Sequence, residues 1–388
     1  MKKITAVLLA CIFAVTLAGC GAKAFAEGLR TYSVAVVSGT DSAGYFAAVA
    51  EGCRAYCESS KTAFSVFQTS GDSAEERRTM VEQAAAKGND IIVLSRSEFA
   101  EAIIEFAPKY TDIMFIALDI PKDSYLSAAL GEEYDNSEGI WNLTDYVELD
   151  NVYNMTFREE LAGYMAGYAA VRMGYTNLGF LGAMETPEII RYGYGFVQGA
   201  DAAAKEAGSS PEILYAYANR LKGDDDLTKA VDIWYATGTQ AVFACGGTVF
   251  RSVAEAAQRN GGRVIGSDTD QKQRIDSEYG EGITATSAMK GIKAALYETL
   301  DQITKRNGWN SLAGRTDSMG LVSGTDPGLN YIQLPLESTQ FNDGFTEEDY
   351  RALVSDMFDG TVTVSADTSA KAADFAGTVV LTDLGEIG

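Results

Sequence analysis

Histidine is absent from all 388 residues. That absence removes Ser-His-Asp and Cys-His activation of a nucleophile and every imidazole metal ligand, so much of hydrolase chemistry is excluded. Cations are scarce too: 31 Lys plus Arg stand against 54 Asp plus Glu, a formal charge of −23. Neutralising nucleic-acid phosphates takes clustered cations, so a nucleic-acid partner is excluded. Neither GxxxxGK[ST] nor GxGxxG occurs, so the chain lacks a glycine-rich phosphate cradle. Cysteines number five. Setting aside Cys11 and Cys20 near the start leaves Cys53, Cys57 and Cys245, which is not a disulfide framework. Cys53 and Cys57 lie four apart in an expected helix, a poor geometry for bridging, and read as packing residues. What is present is a globular composition, 46% apolar and 22% charged with 20 Tyr and 17 Phe, long enough for two domains or one large one.

Lys2 and Lys3 precede an almost uninterrupted apolar stretch from Ile4 to Ala18, too short to span a bilayer comfortably and patterned as a signal peptide. It ends in Leu17-Ala18-Gly19-Cys20, which resembles the lipobox of bacterial lipoproteins and implies that Cys20 is lipidated. A plain secretory signal with an incidental cysteine is the alternative. Removing residues 1 to 19 takes Lys2 and Lys3 with it and moves the formal charge from −23 to −25. Anionic headgroups repel such a surface, so membrane attachment would rest on acyl chains rather than a basic patch. Residues 20 to 30 are small and loosely patterned, as a tether would be.

Beyond the tether the chain repeats one order of elements twice. Tyr32 to Val37, Asp90 to Leu94 and Ile113 to Leu118 read as buried strands, the first two followed by helices and the third ending at Asp119. Asn177 to Leu181, Ala241 to Ala244 and Arg263 to Gly266 repeat the scheme, the last ending at Asp268. Apolar strands alternating with helices imply parallel sheets covered on both faces, with right-handed crossovers gathering the strand-to-helix loops at one edge. The expected fold is therefore α/β with two doubly wound lobes. Two independent tandem domains would give the same pattern, but no Pro/Ser linker separates the halves, which favours a shared interlobe cleft with a hinge. The expected organisation is a first lobe over 31–150 completed by about 286–320, and a second over 151–285 completed by part of 321–388, with short strands in the tail over Gly320 to Val322, Tyr331 to Leu334 and Thr361 to Val364.

Open α/β sheets bind ligands at the carboxyl edge. The residues expected there include Asp41, Ser42, Tyr45, Phe46, Ser95, Asp119, Gly246, Gly247 and Asp268. Aromatic faces pack on planar rings and carboxylates accept hydrogen bonds from hydroxyls or ring N–H groups, while the acids disfavour a phosphorylated ligand. Structural roles compete at each position: Tyr45 stapling its helix to the core, Gly246-Gly247 making a tight turn, Asp41 or Asp268 capping helices. Asp224-Asp225-Asp226 lacks the spacing of a calcium loop and reads as a solvated turn.

The same stretches resemble the basic membrane protein family of lipoproteins, the purine nucleoside receptor type of ABC-transporter substrate-binding protein. The resemblance runs to about residue 300 and rests on Gly39-Thr40-Asp41-Ser42-Ala43-Gly44-Tyr45-Phe46, on Phe157 to Gly167, on Leu178 to Gly182 with Gly195-Phe196, and on Gly246-Gly247-Thr248. Val264 to Gln271 and Thr286-Ser287-Ala288-Met289-Lys290 complete it. It implies a type I periplasmic-binding-protein-like fold and a cleft in which Tyr45 stacks on a base while Asp268 and Lys290, the latter at a helix start, hold ribose hydroxyls. Ser42 and Phe46 depart from the family's polar residues, which leaves base specificity open. Tyr192, Tyr215, Tyr217 and Phe250 are candidates for a second stacking ring.

The function expected is a lipid-anchored extracytoplasmic receptor on the bacterial cell membrane. It would pass a nucleoside, purine favoured, to an ABC permease, with no cofactor, no metal and no catalysis. Alternatives are a sugar or signalling-molecule receptor on the same fold, a nucleoside hydrolase, for which no clustered acidic calcium loop is present near the start, and a surface adhesin or sensor.

Overall fold

Ile91–Ser95 and Met114–Leu118 are buried at every position, as strands covered on both faces must be. The computed structural model describes residues 31–40, 44–135 and 140–388. The first part comprises β1 (Ser33–Ser38), α1 (Tyr45–Ser60), β2 (Ala63–Gln68), α2 (Ala74–Ala86), β3 (Ile91–Ser95), α3 (Ala100–Phe106), β4 (Met114–Leu118), α4 (Lys122–Leu130) and β5 (Val152–Phe157). There follow α5 (Glu159–Arg172), β6 (Asn177–Gly182), α6 (Pro187–Ala207), β7 (Glu212–Tyr217), α7 (Asp225–Ala236) and β8 (Ala241–Cys245). Then come α8 (Phe250–Asn260), β9 (Arg263–Asp268), α9 (Lys272–Tyr279) and β10 (Thr284–Lys290). The last part holds α10 (Ile292–Thr304), β11 (Thr316–Met319), β12 (Ile332–Gln333), α11 (Glu347–Phe358) and β13 (Val380–Glu386).

These strands form two sheets, ordered β11-β5-β4-β3-β1-β2 and β12-β10-β9-β8-β6-β7-β13. Pairing is parallel except where β12 meets β10. The backbone crosses between the sheets three times: after β5, after β10 and between β11 and β12. The crossings are tied to one another, since Arg158 N donates to Met319 O (3.0 Å), Gly291 N to Tyr331 O (2.8 Å) and Tyr331 N to Gly320 O (3.0 Å). Tyr32–Gly388 is one compact unit, and no helix among the described residues is long and apolar enough to cross a membrane.

Helices α5 and α6 pack backbone to backbone. A Cβ placed on Gly167 would lie 2.0 Å from Phe196 O, and one on Gly199 2.0 Å from Tyr164 O, so only glycine permits this approach. The contact fixes the start of α5, which carries Glu159, against α6, which carries Arg191 and Tyr192.

Three sequence expectations change. Residues 152–157, assigned to the second lobe, extend the first sheet because β5 pairs with β4 and β11, and residues 286–290 remain in the second sheet with β9. Lys290 is not at a helix start but ends β10. The tail strands expected over 320–322 and 361–364 are absent, and β11 and β13 do that pairing instead. Asp224 caps α7 by accepting from Leu227 N, in keeping with a turn rather than a cation site. Cys53, Cys57 and Cys245 are free and buried.

Candidate ligand site between the sheet edges

Each lobe ends its key strand in an aspartate with left-handed backbone. Asp119 follows β4 with φ 54° and Asp268 ends β9 with φ 64°, a conformation that Asp tolerates better than most residues. The turns swing both carboxylates to the carboxyl edge of their sheets, where they meet on one ammonium. Lys290 Nζ lies 2.8 Å from Asp119 Oδ2, 3.1 Å from Asp268 Oδ1 and 3.2 Å from Glu159 Oε1. The lysine side chain is 5% exposed, against 11% and 19% for the two aspartates. A buried ammonium with three carboxylates is held by their combined charge. Burial alone would lower its pKa, but Asp119, Asp268 and Glu159 outweigh that and raise it well above the usual lysine value.

Aromatic residues and a second cation surround this centre. Tyr45 OH donates to Asp119 Oδ2 at 2.5 Å and Tyr192 OH to Asp268 Oδ1 at 3.3 Å. The ammonium sits 5.5 Å from the Phe157 ring centroid and 5.7 Å from that of Tyr192, within cation–π range. Arg191 pairs with Glu159 Oε2 at 2.7 Å. Burial pushes the Glu159 carboxyl up to about 7 against the opposing pull of Lys290 and Arg191. Burial resists ionisation of Asp268 as well, yet Lys290 and Arg96 hold its carboxyl below the usual range.

Arg96, in the turn after β3, places its guanidinium 5.2 Å from the Tyr45 ring centroid. Its backbone, at φ 73° and ψ 156°, lies in a region populated almost only by glycine and costs roughly 1–3 kcal/mol for another residue. At the same step after β8 the second lobe has Gly246, φ 91°.

Of the residues expected from sequence, Tyr45, Asp119, Asp268 and Lys290 come together. Phe46 does not join them: its ring turns into the first lobe's core, edge-on to Phe99 at 6.0 Å, because its place on α1 faces the sheet. Gly246 and Gly247 serve the turn, both with positive φ; a Cβ on Gly247 would lie 2.1 Å from Leu221 O. Ser95 ends β3, with its buried Oγ lacking a hydrogen-bond partner among the described residues. Tyr215 stacks on Phe180 at 4.6 Å and Tyr217 sits edge-on to it, so both belong to the second lobe's aromatic core. Of the four stacking candidates, Tyr192 is the one bonded to Asp268. Asp41, Ser42 and Cys20 lie outside the described residues. Glu159, Arg191, Arg96 and Phe157 were not singled out; for Glu159 the available signal was its position two residues after a buried strand.

A cavity of about 1210 Å³ opens beside the cluster, with Lys290 on its wall together with Ala48 and Glu51 of α1, Arg274 of α9 and Lys293 and Tyr297 of α10. Tyr45, Asp119 and Asp268 do not line it. The charged groups at the sheet edges satisfy one another, so a ligand between the lobes must exchange its own polar contacts for these.

Two largely parallel sheets linked by three crossings are the architecture of type I periplasmic binding proteins. An ABC transporter system solute-binding protein from Conexibacter woesei shares the fold with a TM-score of 0.62 at 19% identity, over 86% of this chain and 99% of that one. At the sequence level the chain belongs to the ABC transporter substrate-binding protein PnrA-like family, whose model matches residues 30–325. It is 29% identical over 179 residues to basic membrane protein B of Borreliella burgdorferi, covering 45% of this chain and 49% of that protein. It is 31% identical over 131 residues to the ABC transporter nucleoside-binding protein BmpA of Lactococcus lactis, covering 31% and 36%. The chain thus spans about half or less of the length of these relatives.

Proposed function

We propose that this chain is a lipid-anchored receptor that binds a nucleoside, purine favoured, between its two lobes and delivers it to an ABC permease. The observation that carries the reading is the meeting of Asp119 from one lobe and Asp268 from the other on Lys290. Two acceptors and a donor around one point match vicinal hydroxyls, each of which donates and accepts. The surrounding tyrosines and Phe157 supply the apolar, aromatic wall that a planar base needs. Because the aspartates come from different lobes, a ligand touching both prefers the closed arrangement and shifts the hinge equilibrium toward it. The anchor rests on Cys20 and the leader before it, and the nucleoside on the BmpA relative.

A thermal-shift screen of the purified protein tests the reading, since a ligand of the folded state raises its melting temperature. Adenosine, inosine, guanosine, cytidine and uridine are compared with ribose and arabinose. Stabilisation by nucleosides and not by free pentoses is expected; stabilisation by a pentose alone would replace the nucleoside with a sugar.

A further inference from the structure

We propose that Arg96 is the specificity-determining residue that reads the base, selecting 6-oxopurine nucleosides over adenosine; this rests on the nucleoside reading above. The guanidinium flanks the ring of Tyr45, whose hydroxyl is bonded to Asp119. It thus stands next to the groups assigned to the ribose, where an attached base would lie. Its charge also reaches Asp268 of the opposite lobe, helping to hold that carboxyl below the usual range.

Two observations mark the side chain as kept for a ligand. The first is its lack of partners. Among the described residues the guanidinium makes no hydrogen bond: its nearest acid, Glu98, lies 3.9 Å from Nε, too far for one, and its other contact is the Tyr45 face. The side chain, 29% exposed, thus keeps its donors free of protein acceptors among the described residues. The second is its backbone. A glycine would adopt φ 73°, ψ 156° without strain, and the equivalent turn of the second lobe uses one, Gly246. An arginine here therefore needs a reason outside the turn itself.

Guanidinium is a donor-only fork. It matches the adjacent O6 and N7 acceptors of hypoxanthine and guanine in bidentate fashion, whereas adenine presents an amino donor at the first of these positions.

Calorimetric titration of inosine, guanosine and adenosine into the protein and its Arg96→Ala and Arg96→Gly variants provides the test. The wild type is expected to bind inosine and guanosine about tenfold to a hundredfold more tightly than adenosine, the range of one bidentate arginine contact. Both variants should bring the ratio to near one while keeping adenosine affinity within about threefold. A wild type without preference, or a preference that survives in Arg96→Ala, overturns the role of Arg96 and leaves the nucleoside reading standing. Loss of adenosine binding in both variants overturns it as well, by making Arg96 a support of the site rather than a reader of the base. If the wild type binds none of the three, the nucleoside reading falls and this assignment with it.

Discussion

Replacing Lys290 by methionine removes the charge at the centre of the site while nearly conserving the length of the side chain. Three carboxylates then face a common point without their shared cation. Each keeps one partner: Asp119 the hydroxyl of Tyr45, Asp268 that of Tyr192 and Glu159 the guanidinium of Arg191. Breaking a buried ion pair by deleting one member costs about 3–5 kcal/mol, which lowers the folding constant by roughly two to three and a half decades at about 1.4 kcal/mol per decade. With about 2–4 °C lost per kcal/mol in a large domain, the melting temperature should fall by about 6–20 °C at pH 8. Acid should narrow the difference from both sides. Asp268 in the wild type is held below the usual carboxylate range, so its contribution is present at neutral pH and lost as pH drops through that depressed value. In the variant the acids repel, their pKa values rise, and protonation relieves them. Thermal unfolding of both proteins from pH 8 to pH 3, below the unfolded aspartate value of about 3.9, measures this. A variant melting within about 2 °C of wild type at pH 8, or a gap that does not shrink on acidification, would refute the picture of one lysine holding three acids.

Glu159 gives a second pH signature. Its carboxyl is pushed up to about 7 by burial from an unfolded value of about 4.3, so its contribution to stability is complete below the unfolded value and drains away as pH rises through the folded one. Urea midpoints should therefore fall from pH 5 to pH 8 in the wild type, by a few kcal/mol in stability, and fall less in Glu159→Gln; an equal slope in both would remove Glu159 as the cause. Gly167→Val should abolish soluble folded protein or lower its melting temperature by many degrees, because even the first carbon would lie 2.0 Å from Phe196 O. Normal melting would show that α5 and α6 are not in backbone contact.

The strands that form the two sheet centres were legible because full burial leaves an unbroken apolar run, as in IIVLS and MFIAL. β2 was not assigned: it is an edge strand with no fully buried residue, each position being exposed or half-buried, so it lacks that run. β5 did not read as belonging to the first sheet, since which sheet a strand joins depends on pairing across 37 residues of sequence to β4 and 162 to β11. At the site, Asp119 and Asp268 stood out as the acids ending matched strands, whereas Lys290 rested on family resemblance. Glu159 and Arg191 escaped notice for a physical reason. An acid in the first turn of a helix, as Glu159 is in α5, complements the helix dipole in any solvated helix, and Arg191 sits on an amphipathic helix like many surface arginines. Only the close packing of α5 on α6 turns them into a buried pair. Arg96 received no role from sequence, because a strained backbone angle leaves no mark there.

The central claim is that one ligand is gripped by both lobes through Asp119 and Asp268. Calorimetric titration of a purine nucleoside into the wild type and into Asp119→Ala and Asp268→Ala measures it directly. One saturable site per chain is expected in the wild type, with a loss of at least tenfold in affinity in each variant and both variants still folded by circular dichroism. Unchanged affinity in either one would place the ligand on a single lobe and contradict it.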